Sequence, residues 1–391
     1  MHPNKTVATC ALITLPLAGA LSACSLTESN KNDTKSSNGP IAVTSSDSAC
    51  TLSSTKVGSG TVTFKVKNTG SKVTEFYLYA EDGKRIVGEV ENIGPGLTRE
   101  LVVSARPGTY VTACKPGMQG EGIRGKLTVT DSGRSTSMEN VDAKNVEKAT
   151  DGYADYVKHQ AGELLEETTA FVAAYKAGDD AKARTLYPTA RQYWESIEPV
   201  AESFGDLDPK MDLREADLEE GQAWTGWHRL EKDLWPPAGK YAALTPAERI
   251  RYADDLLANT KTLHTRVQTM TFDVTQLGNG SKELMDEIAT GKITGEEEVW
   301  SHTDLYDFQA NVDGAKEAFE LLEPILAAKD EELEEEIDAR FDDLQKVLDQ
   351  YRKGDGFVSY DTVTEAQRKQ LSDAVNALSE PLSKMTGVIA Q

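Results

Sequence analysis

Apolar residues alternate with polar ones from about residue 50 to residue 130, and recur at helical spacing from Tyr153 onward. The chain therefore predicts two domains of different class. Thr61-Val62-Thr63-Phe64-Lys65-Val66-Lys67 alternates strictly, which puts Val62, Phe64 and Val66 on one face of a strand. Further short runs follow at Glu75 to Tyr79, Leu101 to Val103, Tyr110 to Ala113 and Lys126 to Val129. They are separated by turn chemistry at Asn68-Thr69-Gly70, Asp82-Gly83, Pro95-Gly96, Pro107-Gly108 and Pro116-Gly117. This spacing predicts a small β-sandwich over residues 46–131.

Residues 132–150 are polar and read as a linker. Residues 151–391 carry helix formers with apolar stripes and predict an all-α bundle. Helices are expected at Tyr156 to Ala177, Asp179 to Phe204, Asp212 to Trp235, Pro246 to Val274, Thr294 to Leu326, Asp330 to Tyr351 and Thr364 to Ile389. Gly278-Asn279-Gly280 and Gly354-Asp355-Gly356 read as breaks, and Pro381 as a kink in the last helix.

The first residues change where all this must work. Lys5 precedes an apolar run from Val7 to Leu21, and Leu21-Ser22-Ala23 leads into Cys24. That is the pattern of a leader, residues 1–23, cleaved before a cysteine that then receives a lipid. The run is too short to span a bilayer. Residues 24–45 follow as a tether. The expectation is an extracytoplasmic protein anchored to the cell membrane through Cys24. A formal charge of -22 excludes nucleic acid and anionic lipid surfaces as natural partners and suits cations. Beyond Cys10 and Cys24, only Cys50 and Cys114 remain, and outside the cytoplasm they form either a disulfide or a metal-binding pair.

The sharpest chemistry lies in Trp227-His228-Arg229-Leu230-Glu231. Residues three apart on a helix differ by about 60° in bearing, so His228 and Glu231 share a side. On the expected helix Asp212 to Trp235, Asp217 would lie in line with His228. Glu195, Glu198 and Glu202 recur at spacings of three and four on another helix. An imidazole facing carboxylates across a bundle is how such folds hold a metal, and this donor set favours iron, manganese, zinc or calcium. His302, after Glu296-Glu297-Glu298, either reaches the same cavity or starts a helix, with Ser301 and Thr303 as caps. The helical zinc-peptidase motif needs a second histidine four residues on, where this chain has Lys232.

The stretches Ile197 to Asp208 and Gly226 to Glu231 resemble the imelysin-like (H-x-x-E) family. Lys292 to Glu297, Ser301 to Leu305, Ala310 to Gly314 and Glu380-Pro381-Leu382 resemble its EfeO branch. The resemblance implies a non-enzymatic, iron-binding component of an uptake system that passes Fe3+ or Fe2+ to a membrane permease working with a haem peroxidase. It implies His228 and Glu231 as the motif pair, with Glu198, Glu202 and Asp217 as co-ligands. It also implies a cupredoxin-like N-terminal domain, since Cys114-Lys115-Pro116-Gly117-Met118 is similar to a cupredoxin metal loop. No histidine lies between His2 and His159, so a blue-copper site cannot form. A second site for copper or zinc would draw on Cys50, Glu75, Cys114 and Met118, unless the cysteines are joined. Two other readings follow from the residues. One is a metallopeptidase of the H-x-x-E type. The other is a metal-bridged polysaccharide-binding protein, with Tyr193, Trp194, Trp224, Trp227 and Trp300 lining the cleft.

Overall fold

The computed structural model describes residues 39–83, 86–118, 120–132, 143–218, 221–239 and 241–390. The leader, Cys24 and most of the expected tether lie outside these residues. Strands β1 Ile41–Ser45, β2 Cys50–Leu52, β3 Lys56–Gly58, β4 Gly60–Asn68, β5 Thr74–Tyr79, β6 Ile86–Ile93, β7 Thr98–Ala105, β8 Gly108–Cys114 and β9 Ile123–Thr130 form the first domain. They build a four-stranded sheet ordered β2-β1-β4-β7 and a five-stranded sheet ordered β3-β9-β8-β5-β6. β1 falls inside the stretch expected to be tether, because Ile41 and Val43 are buried beside Phe64 and Val66 of β4. The two sheets meet through residues such as Phe64 and Phe76, whose rings lie 5.2 Å apart. Burying each such side chain contributes about 1.5–3 kcal/mol.

The two-residue period of β5 decides what the sandwich shows to the rest of the molecule. Phe76 and Leu78 face the core, while Glu75, Tyr77 and Tyr79 share the opposite face. Cys50 and Cys114 are joined as a disulfide between β2 and β8. Both thiols are consumed, so the site expected from Cys50, Glu75, Cys114 and Met118 loses two donors. Met118 is about half exposed, at 49%.

The second domain comprises α1 Ala143–Ala177, α2 Asp180–Glu195, α3 Asp208–Met211, α4 Trp227–Leu234, α5 Pro246–Val267, α6 Val274–Thr290, α7 Asp304–Ala327, α8 Glu331–Leu348 and α9 Glu365–Ile389. α1 begins inside the expected linker. The single helix expected from Asp179 to Phe204 is broken: Ile197 leaves helical geometry, Pro199 follows, and Glu198–Leu207 continues as a kinked 3-10 segment. The helix expected from Asp212 is confined to α4, preceded by a loop with a short turn at Glu215–Asp217.

Gly278-Asn279-Gly280 lies inside α6 rather than breaking it, because each residue serves a close approach. A Cβ on Gly280 would sit 1.9 Å from the Pro199 carbonyl oxygen, and one on Gly278 would sit 2.4 Å from the Thr386 hydroxyl. Asn279 donates through Nδ2 to the Val102 carbonyl of β7 at 2.7 Å. The Ser104 amide donates to Thr275 at 3.2 Å, so α6 joins the domains through backbone groups of the sandwich. Glycine to alanine inside a helix ordinarily gains about 1 kcal/mol. At Gly280 the clash is with backbone and outweighs that gain. Gly280→Ala should lower stability by about 1–3 kcal/mol in denaturant unfolding. A stabilised variant would show that this contact does not set the helix spacing.

Candidate metal centre

Four separate segments deliver the donors. α2 contributes Arg191 and Glu195 on its last turn. Asp212 follows α3, its amide donating to the Asp208 carbonyl at 2.9 Å. Gly226, at φ 86, approaches the Met211 carbonyl so closely that a Cβ would lie 2.1 Å from its oxygen, and this contact sets where α4 begins. α4 presents His228 and Glu231 one turn apart, both fully buried. The loop between α6 and α7 brings Glu297 and Glu298.

His228 is the hub. Its Nε2 lies 3.2 Å from Glu297 Oε1 and 3.3 Å from Asp212 Oδ1. Its Nδ1 lies 3.3 Å from Glu231 Oε2 and 3.9 Å from Glu298 Oε1. Asp212, His228 and Glu297 offer ligand atoms within 4.8 Å of one another, as do His228, Glu231 and Glu298. Burial and the nearby Arg191 push the imidazole towards neutrality, but hydrogen bonds to Asp212, Glu231 and Glu297 outweigh them and hold it protonated. In the cation-free protein a proton thus stands on the ring where a metal would bind.

The carboxylates are fixed from outside. Glu231 Oε1 accepts the amides of Trp300 and Ser301 at 3.0 and 2.7 Å. Glu298 accepts the Tyr187 hydroxyl at 3.1 Å and the Ser301 hydroxyl at 2.6 Å. Ser301 and Thr303 thus orient Glu298, and Thr303, although it precedes α7, makes no capping bond with its side chain. Arg191, fully buried, contacts Glu195, Asp212, Glu297, Glu298 and Asp307. Burial drives the Glu297 carboxyl up, but Lys292, His228 and Arg191 hold it at about 2. Burial raises Glu298 and Asp307 well above the usual range and lifts Asp304 to about 7. Asp304 Oδ2, Asp307 Oδ1 and Asn311 Oδ1 are buried without a hydrogen-bond partner. Carboxylates outnumber cations here and leave acceptor atoms unmatched, which suits a multivalent cation.

The centre opens onto a cleft of about 520 Å³ between the two domains. Glu75, Glu89 and Glu91 line it from the sandwich, and Glu198, Glu202, Asp208, Glu283 and Glu287 from the helices. Asp212 and Glu297 belong to both cleft and centre. Tyr77 shares its hydroxyl between Glu75 and Glu91 at 3.0 Å each. Burial, then the charge of Glu91, pushes Glu75 up to about 7.

Of the residues expected from sequence, His228 and Glu231 come together. Glu198 lies one step away, with Glu195 and Asp212. Glu202 turns towards Glu89 of β6 and Glu283 of α6, because the break after α2 rotates it off the face it would share with Glu195. Asp217 is not on the helix of His228. It accepts from Arg214 at 2.6 Å at the cleft mouth, with its side chain 44% exposed. His302 does not join the clustered donors among the described residues. Sequence reasoning missed Asp212, Glu297, Glu298 and Arg191 as site residues. The run Glu296-Glu297-Glu298 ahead of Trp300 was the available signal.

A family model described as Imelysin matches residues 149–385, and one described as a Cupredoxin-like domain matches residues 14–129. The chain is 46% identical over 258 residues to an "Efem/EfeO family lipoprotein" of Staphylococcus haemolyticus, covering 65% of this chain and 88% of the relative. It is 38% identical over 352 residues to the "Iron uptake system component EfeO" of Yersinia pestis, covering 89% of this chain and 91% of the relative. A protein of the same name from Escherichia coli is 36% identical over a similar span. The chain therefore belongs to the imelysin family, in its EfeO group, with a cupredoxin-like domain ahead of the helical one.

Proposed function

We propose that this protein is an extracytoplasmic, lipid-anchored iron carrier that captures iron at the His228 centre and passes it to a membrane permease, in a system that includes a haem peroxidase. The observation that carries this reading is the convergence of Asp212, Glu231, Glu297 and Glu298 on one buried imidazole at the inner end of an acidic cleft. One nitrogen among several carboxylate oxygens suits a hard or borderline cation, Fe3+ more than a soft one. The names of the relatives, iron uptake components and lipoproteins, support iron as the cargo and lipid as the anchor. No helix among the described residues is long and apolar enough to cross a membrane.

The centre favours a carrier over a peptidase. His228 and Glu231 are fully buried and neither lines the cleft, which keeps a peptide backbone away from the pair. A sugar cleft lined by tryptophans is disfavoured too, since Trp194 and Trp227 are fully buried in the core.

His228→Ala should lower iron affinity by roughly two orders of magnitude in calorimetry, with far-UV circular dichroism unchanged. Wild-type affinity in that variant would remove the centre.

Iron must also displace protons. His228 is held protonated, and burial lifts Asp208 and Asp304 to about 7. Binding at neutral pH should release protons and weaken as the pH falls from about 7.5 to about 5.5. A calorimetric enthalpy independent of buffer ionisation would contradict this. Stability of the cation-free protein should run the other way. For Asp208 and Asp304 the folded pKa of about 7 exceeds the ordinary 3.8 of an aspartate in water, so between these values the native state binds more protons than the unfolded one. Stability from these groups is therefore lost as pH rises through that window. With chelator present, thermal unfolding should occur at higher temperature at about pH 5.5 than at about pH 7.5.

A further inference from the structure

Glu195, Glu198 and Asp212 offer oxygens within 4.8 Å of one another, close enough to share a cation, and a protein cation already sits there. Lys292 is fully buried, and its Nζ lies 2.6 Å from Glu195 Oε2 and 2.8 Å from Glu198 Oε2. The same two oxygens also accept from Asn311 Nδ2, at 2.8 and 2.7 Å. With both donors in place these oxygens have little left to give a metal, which binds carboxylate oxygen at about 2.0–2.5 Å. For these two oxygens to take a metal, one donor has to leave. Asn311 is fixed in the middle of α7, whereas Lys292 stands on the short turn Lys292–Thr294, between Gly291 and Gly295. A third carboxylate, Glu287 Oε1, waits 3.9 Å from Nζ, with its side chain 44% exposed and lining the cleft.

We propose that Lys292 is a resident counter-cation that holds the Glu195–Glu198 pair, which adjoins the His228 centre through Asp212, and that it swings to Glu287 when iron passes over that pair to or from the centre. This rests on the iron-carrier reading and adds to it a means of release. The exchange replaces one cation by another, so buried carboxylates are compensated in both states. An empty site held by an ammonium does not repel itself apart. A loaded site faces a competitor tethered a few ångströms away, which keeps the cargo transferable. Lys292 therefore sets affinity downward without being a ligand.

The experiment is Fe2+ binding under argon by calorimetry, with thermal unfolding in the presence and absence of metal, on the full chain. Lys292→Met removes the charge at similar length. It should bind Fe2+ between roughly 5- and 150-fold more tightly and gain a larger thermal shift from metal than the unaltered protein. Lys292→Arg keeps the charge and should return both readouts towards wild type. A purely structural lysine predicts lower stability with unchanged or weaker binding, and that result overturns the proposal. If Lys292→Met does not fold without metal, Glu287→Gln decides. Losing the second berth should weaken binding in the wild-type background, and an unmoved affinity there overturns the idea. Where Lys292→Met does fold, Glu287→Gln should be silent on top of it. Failure of the unaltered protein to bind iron removes the functional reading and this one together. Normal binding with an unmoved Lys292→Met removes only the lysine's role.

Discussion

The whole centre depends on one buried guanidinium. Arg191 contacts Glu195 on its own helix, Asp212 after α3, Glu297 and Glu298 in the α6–α7 loop, and Asp307 on α7. Without it these acids would repel one another and burial would neutralise them by protonation. Its planar fork offers five N–H donors in fixed directions, where a lysine's ammonium offers three. Burial and its own charge oppose the imidazolium of His228, while the carboxylates it gathers stabilise that imidazolium. Arg191 thus acts on the histidine in opposite senses, and the carboxylates win.

This arrangement accounts for the shape of the molecule around it. The acids need access to solvent on one side only, and Asp212 with Glu297 provides it by facing the interdomain cleft. α6 is the shared wall. Its Gly280 admits the turn that follows Glu195, its Asn279 binds the sandwich, and its Glu283 and Glu287 line the cleft. The outer face of β5 then supplies Glu75 to the opposite wall, held there by the Tyr77 hydroxyl that donates to it. The cupredoxin-like domain, with both cysteines joined, contributes surface carboxylates rather than thiol donors.

Much of the fold could be read from local pattern. Strict alternation marks the strands, and three-residue spacing puts His228 beside Glu231. The misreadings have a common cause. The apolar stripe runs on past Glu195 and back before Trp227, so nothing periodic marks the break at Ile197–Pro199 or the loop that carries Asp217. Glu202 and Asp217 were placed by extending helices that tertiary packing ends. Gly278-Asn279-Gly280 reads as punctuation because propensity cannot see the carbonyl of Pro199 on the other side. Glu297 and Glu298 look like solvated charge because acidic runs usually are. Arg191, more than a hundred residues earlier, joins His228, Tyr187 and Ser301 in making them interior.

The order of the donors along the chain has a consequence for assembly. Arg191 comes first, the histidine helix follows, and the loop with Glu297 and Glu298 is reached only after two further helices. A growing or partly folded chain therefore displays the imidazole with Asp212 and Glu231 but without Glu297 and Glu298, a weaker chelator than the finished centre. The full ring of oxygens exists only after distant segments have docked. The geometry of the centre is in this sense a product of completed folding.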